Sequence, residues 1–240
     1  MVGVTKPGDL TVSDILTVYD NASTKPCLVR TEDGAKWVMK LAGAGQGPAG
    51  LMWEFIGLGV ARAFRVPVPE ARIIHLPEGF PWQVGTDEYD EMLQRSFGPN
   101  LAIAYVEEAE ALTAAEALEL PQTLVDHIAA ADAWLCNVDR THRNTNLLRA
   151  PDGTIHVIDY GACLFGPRAL ARRYAAPSLP AHHLFQARAQ NPVSRPAFDW
   201  EAMIAPLPAA WLASIGLDHT SLLERLRAAE EAVGAMAARR

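Results

Sequence analysis

Leu135 to Gly161 reads LCNVDRTHRNTNLLRAPDGTIHVIDYG, and this stretch decides what the rest of the chain must be. Thr145–Arg149 and Thr154–Ile158 are strand-like, and Pro151-Asp152-Gly153 between them supplies turn residues, so the segment is expected to fold as a hairpin. Asn144 and Asp159 then fall at the open end of the two strands, on the same side. An amide oxygen and a carboxylate so placed suit Mg²⁺, a hard cation that takes oxygen ligands and keeps company with phosphates. Asp139 lies one loop away, where its carboxylate can accept the proton of an attacking hydroxyl. That is the division of labour of phosphoryl transfer.

Composition narrows the classes. The chain has 240 residues, 50% of them hydrophobic, which is ample for one substantial core or two small lobes. Its net charge of −7, from 28 acidic against 21 basic residues, argues against a general nucleic-acid binder. Cys27, Cys136 and Cys163 are scattered and form no CxxC pair, so neither a disulfide framework nor a zinc knuckle is expected, and a cytoplasmic, reducing setting fits them. The N-terminus carries no basic-then-apolar signal, and no apolar run is long enough to span a bilayer.

Upstream, Ile15–Tyr19, Pro26–Arg30 and Lys36–Leu41 read as a three-strand meander. Alternation puts Trp37, Met39 and Leu41 on one face of the third strand and Lys36, Val38 and Lys40 on the other. The loop Gly43-Ala44-Gly45-Gln46-Gly47-Pro48 lacks the Lys-Ser/Thr that ends a P-loop and comes after the Lys-bearing strand, so it reads as a plain strand-to-helix connection. Leu51–Phe64 is expected to be helical. Within it Glu54 is the only charged residue between Lys40 and Arg62, set on an apolar stripe with Leu51, Leu58 and Ala61. If buried it needs a partner, and Lys40 is the candidate. Ala71–His75 is a strand, Leu76–Asn100, rich in Pro, Gly and acidic residues, an insertion or edge hairpin, and Leu101–Val106 the next strand.

Thr113 and Glu116 form a capping box, and Pro121 can open the helix carrying Leu124, Ile128, Ala131 and Leu135 into the Asp139 loop. Asp132 within it reads as a polar anchor for that loop or as exposed, and His142 as a loop residue near the phosphates. Between Gly166 and Pro196, Arg168, Arg172, Arg173, Arg188 and Arg195 occur among prolines with no acidic residue. Such a stretch suits an acidic or phosphorylated substrate, or is a solvated loop. His182 and His183 diverge if helical and have no third ligand nearby, so they are not read as a metal site. A helix is expected over Asp199–Ala209, and a last one opening on a Ser221/Glu224 capping box with Leu222, Leu226, Val233 and Met236 facing the core.

The catalytic stretch resembles the catalytic loop and Asp-Phe-Gly element of kinases, with Tyr160 for the Phe and Asn137-Val138-Asp139 in place of His-Arg-Asp. Its Asn-x-Asp-Arg-x-x-x-Asn pattern resembles the HipA-like serine/threonine kinases and, more distantly, the phosphatidylinositol 3/4-kinases. The likeness is strongest over Asp126–Leu164, weaker over Ile15–Val68, and not seen after about Pro167. It implies an α+β, two-lobed, protein-kinase-like fold, with an antiparallel-sheet N-lobe carrying one helix (1–106) and a mainly helical C-lobe (107–240). It implies ATP and Mg²⁺ as cofactors and transfer of the γ-phosphate to a Ser/Thr hydroxyl of a protein. Asp139 would be the catalytic base, with Asn144 and Asp159 holding Mg²⁺. Lys40 would hold the phosphates beside Glu54, Ser23-Thr24-Lys25 would cover them, and Glu107 would mark the adenine-binding hinge. Asp139-Arg140 echoes the lipid-kinase loop, so a small-molecule or lipid head-group acceptor remains an alternative. So does a nucleotide-binding pseudokinase, or the regulatory partner of a toxin-like system.

Overall fold

The structure, a computed structural model, describes residues 10–20, 24–81 and 86–238. The chain divides into two compact units. One takes the residues up to Met52 together with Glu70–Tyr105, and the other takes Trp53–Pro69 and everything from Val106 on.

In the first unit β1 (Leu10–Val18), β2 (Cys27–Thr31) and β3 (Lys36–Lys40) form the expected antiparallel meander. The expectation of a purely antiparallel sheet needs correcting. With β4 (Ala71–Leu76) and β5 (Gly98–Ala104) the strands run β1-β2-β3-β5-β4 and close into a barrel, sealed by parallel pairing of Leu10 with Ile74 and Thr11 with His75. Closure is possible because β1 begins at Leu10, well before the alternating pattern becomes legible. Irregularities between Val12 and Asp14 and between Ile15 and Thr17 also bend it. Cys27, Val29, Trp37, Met39 and Ile74 fill the core, while Lys36, Val38 and Lys40 alternate onto the other, half-buried face.

Leu76–Asn100, expected as an insertion or edge hairpin, is in part helical. It holds α2 (Asp87–Gln94), whose Tyr89, Met92 and Leu93 join the barrel core. Buried Ser96 and Asn100 then fasten the glycine loop. Ala42 N–H donates to Asn100 Oδ1 at 2.8 Å and Gly43 N–H to Ser96 Oγ at 2.9 Å. A Cβ at position 43 would lie 2.5 Å from the Met92 carbonyl oxygen, so only glycine fits there. α1 (Gly47–Ala63) comes next and is divided between the two units.

The second unit carries β6 (Glu110–Ala111), α3 (Ala114–Leu118), α4 (Gln122–Leu135), and the hairpin of β7 (Leu147–Arg149) and β8 (Ile155–Val157). β6 pairs with β7 to complete a three-stranded sheet. The Thr113–Glu116 capping box is present. α5 (Phe165–Ala171), α6 (Trp200–Ile204), α7 (Ala209–Ala213) and α8 (His219–Ala237) complete it. α6 is shorter than expected because Pro206 and Pro208 cannot continue it. α8 is capped by Asp218 with Ser221 as its reciprocal partner, one turn earlier than the Ser221/Glu224 reading. Leu222, Leu226 and Val233 are buried, whereas Met236 is 36% exposed.

α4 is buried on most of its circumference, against Phe64 and Phe198 through Trp134, and its aspartates Asp126 and Asp132 are buried as well. Among the described residues no helix is long and apolar enough to cross a membrane.

Candidate active site

α4 ends at Cys136, a residue in the left-handed region (φ 52°), which turns the chain sharply into the loop. Asn137 is then bridged to Cys163. Asp132, fully buried, anchors the loop from within α4. Its carboxylate accepts Asn137 Nδ2 at 3.0 Å, Arg140 Nε at 2.6 Å and His183 Nε2 at 2.9 Å. His183 Nδ1 accepts the Phe185 N–H at 3.1 Å, which leaves Nε2 as the nitrogen that donates to Asp132. Arg140 Nη1 donates to the carbonyls of Thr145 and Asn146, both at 3.0 Å, and the guanidinium lies 5.3 Å from the Tyr160 ring centre. One buried arginine thus ties together the start of the loop, its end, and the Asp-Tyr-Gly element. Burial opposes the charge on Asp132, yet Arg140 and His183 outweigh it and hold the carboxyl below the usual carboxylate range. The same pairing raises Arg140 against the effect of its own burial.

Asp139 comes next, its N–H held by Asn137 Oδ1 at 3.1 Å. Its Oδ2 accepts Asn144 Nδ2 at 2.8 Å and Asn146 Nδ2 at 3.3 Å. Asn144 does not stand at the end of a strand. It closes a turn in which Thr141 N–H donates to its carbonyl at 2.8 Å, and β7 begins only at Leu147. The residue at the mouth of the hairpin is Asn146, whose carbonyl accepts Ile158 N–H at 3.0 Å, directly beside Asp159. Sequence reasoning missed Asn146. The signal was there in the second Asn of Asn144-Thr145-Asn146, immediately before Leu147-Leu148. Its φ of 51° is a conformation that asparagine tolerates better than most residues.

Asp159 also sits at positive φ (59°), and its Oδ1 accepts the Gly161 N–H at 3.3 Å. Such strain in a non-glycine residue persists only where its surroundings enforce it, and it collects at functional sites. Glu54 is 3% exposed. Its Oε2 lies 3.3 Å, and Asp159 Oδ1 3.4 Å, from where a Cβ on Gly161 would stand. The glycine therefore gives both carboxylates room. Tyr160 is buried with its Cβ 2.8 Å from the Cβ position that Gly57 of α1 leaves empty.

The donor set fits a magnesium nucleotide. With both Asn Nδ2 groups committed to Asp139, their amide oxygens remain for a cation, and the Asn146 backbone pairs with Ile158, the residue before Asp159. Among the described residues no group of three or more His, Cys, Asp or Glu forms a metal cage. Mg²⁺ needs none, since it is usually held by one or two carboxylates and the substrate's phosphates.

The remaining candidates belong to the first unit or to the turn after it. Lys40 ends β3 and, because Cys27 pairs with Met39, stands level with Pro26 at the end of the barrel that carries Thr24 and Lys25. Thr24 Cγ2 is 3.1 Å from the Cβ position of Gly45, so the glycine loop packs under that turn. Lys25 Nζ reaches Glu88 at 3.4 Å, an exposed pair of little strength. Ser23 lies outside the described residues. Glu107 is exposed in the turn before β6.

The family model described as HipA-like kinase matches residues 12–237. No curated protein matches the chain. Among solved structures, the Helicobacter pylori proinflammatory kinase CtkA aligns at 13% identity over 95% of this chain and 96% of its own, with a TM-score of 0.54, a likeness of fold. LicA in complex with AMP aligns at 12% identity over 93% of each chain, but at a TM-score of 0.35, too low to carry an argument.

Proposed function

The chain belongs to the HipA-like kinase family, which makes it a kinase-type phosphotransferase, and on that premise we propose that it transfers the γ-phosphate of ATP to a Ser/Thr hydroxyl of a protein. The observation that carries this reading is the state of Asp139. One carboxylate oxygen is occupied by the two asparagine amides, while Oδ1 has no partner among the described residues. A carboxylate pinned through one oxygen and open at the other is suited to receive a proton from a hydroxyl placed against it.

In this reading Asp139, Asn144, Asn146 and Asp159 of the second unit carry the chemistry. Asp159 and the amide oxygens of Asn146 and Asn144 hold Mg²⁺, which when bound neutralises charge on the phosphates of ATP. Lys40 binds those phosphates, Glu54 orients Lys40, and Ser23, Thr24 and Lys25 close over them. Glu107 marks the stretch whose backbone meets the adenine. Asp139 orients the acceptor hydroxyl and takes its proton at Oδ1. The buried Asp132–Arg140–His183 group holds Asp139 and Asn146 in register without touching substrate.

The test is phosphate transfer and ADP release from Mg²⁺–ATP by the full chain and by Asp139→Ala and Asp159→Ala. Each variant should lose transfer by about 10³-fold or more while remaining folded. Undiminished turnover by either would overturn the assignment.

A further inference from the structure

The chain after Asp159-Tyr160-Gly161 leaves the catalytic loop and comes back to it. Cys163 is bridged to Asn137, and His183 to Thr141. At the returning end Leu184 N–H donates to Arg140 O at 2.9 Å, and His182 Nε2 meets Val138 O at 2.9 Å. Everything between Cys163 and His183 is therefore hung at both ends from the residues around Asp139, with α5 on its outgoing limb.

The arginines of this region divide into two sets. Arg188 is engaged by the carbonyls of Leu118 and Leu120, and Arg195 by Glu230 at 2.7 Å and by the Trp134 ring. Both lie beyond the returning end and are structural. Arg168, Arg172 and Arg173 lie on the excursion itself. Their side chains make no hydrogen bond or ion pair among the described residues, and Arg172 and Arg173 are exposed. Arg172 caps α5 in the left-handed conformation (φ 53°), the position where a helix ordinarily places glycine. The fold gains nothing from a side chain there. An otherwise acidic chain of net charge −7 thus keeps a strained, exposed arginine and two more on a segment whose two ends are fastened to its candidate catalytic loop.

We propose that Arg168, Arg172 and Arg173 form the docking surface for an acidic polypeptide acceptor, in which Asp or Glu residues flank the hydroxyl that receives the phosphate. The proposal rests on the phosphotransfer reading above and names its substrate class. Guanidinium forks match carboxylates in two-pronged contacts, and the same charges repel basic acceptors.

The experiment gives the full chain Mg²⁺–ATP and three sets of Ser/Thr peptides flanked by Glu, by Gln or by Lys, and reads both peptide phosphorylation and peptide-independent ADP release. The Glu set should be preferred. Arg172→Gly and Arg173→Gln should each lower kcat/KM for that set about three- to fivefold, through KM, while leaving the Gln set and ADP release unchanged. Arg172→Gly relieves the left-handed strain, so its Tm should hold or rise, and a loss of transfer cannot be ascribed to misfolding. Equal use of the three sets would overturn the proposal. So would a Glu preference that survives Arg172→Gly/Arg173→Gln, or ADP release with no peptide phosphorylated. An oligouridylate RNA bound through the same arginines, with no peptide preference, would reassign the surface to nucleic acid. Absence of both ADP release and transfer would instead bring down the phosphotransfer reading itself.

Discussion

Arg140 donates through Nε to Asp132 at 2.6 Å, and neither side chain has any solvent exposure. A buried pair of this kind contributes little against a well-packed apolar alternative, but removing one partner strands the other charge. Asp132→Ala is therefore expected to cost about 3–5 kcal/mol in urea denaturation. Arg140→Met with Asp132→Leu together should cost much less. Both should impair activity, because the contacts of Arg140 to Thr145 and Asn146 set the end of the loop. A single variant as stable as the double one would contradict this account.

Asp126 illustrates a pH-dependent anchor. It accepts Gln122 Nε2 at 2.8 Å, the N–H groups of Gln190 and Asn191 at 3.0 and 3.3 Å, and Asn191 Nδ2 at 2.7 Å. Burial pushes its carboxyl up, but Asn191 and the other donors prevail and bring it from 3.8 down to about 2. The folded form thus holds its charge to lower pH than the unfolded one. Its stabilisation is complete above about pH 4 and disappears as pH falls through about 2. Hydrogen exchange at the Gln190 and Asn191 amides should lose protection across that window, and Asp126→Asn should remove the dependence. Protection in the parent chain that does not change there would refute it.

Gly57→Ala should be destabilising even though alanine favours helices by about 1 kcal/mol. The added methyl would stand 2.8 Å from Tyr160 Cβ in a fully buried contact. Overpacking of this kind costs about 1–3 kcal/mol, and moving Tyr160 moves Asp159 with it. The expected result is a lower Tm together with a higher Mg²⁺ requirement. A variant more stable than the parent would show that Tyr160 yields freely.

Asn146 and Asn144 can be separated by substitution. Asn146→Gly keeps the left-handed backbone and removes the amide, so the loop should survive. The Mg²⁺ concentration giving half-maximal transfer should rise about 10–100-fold. Asn144→Ala should have the smaller effect on that concentration if Asn146, beside Asp159 at the hairpin mouth, is the main ligand. The reverse order would return that role to Asn144.

Much of the fold could be read from local pattern. The meander, the capping box at Thr113, the hairpin about Pro151-Asp152-Gly153 and the alternation around Lys40 all arise from interactions between near neighbours in sequence. The features that escaped depend on distant partners. Barrel closure needs Leu10 and Thr11 to meet Ile74 and His75, and α2 hid among turn residues because only Tyr89, Met92 and Leu93 face inward. His182 and His183, declined as a metal site, turn out to hold the candidate catalytic loop, a role invisible until Asp132 and Val138 are beside them. Asn146 was overlooked because the spacing from Asp139 pointed to Asn144, three residues before β7 begins at Leu147.

The brief parallel contact at Leu10 and Thr11 also bears on how the polypeptide behaves in solution. It covers what would otherwise be open edges on β1 and β4, the surfaces through which one sheet recruits strands from another molecule. Trimming the chain past Thr11 would uncover them, and self-association would be the first symptom, ahead of any loss of catalysis.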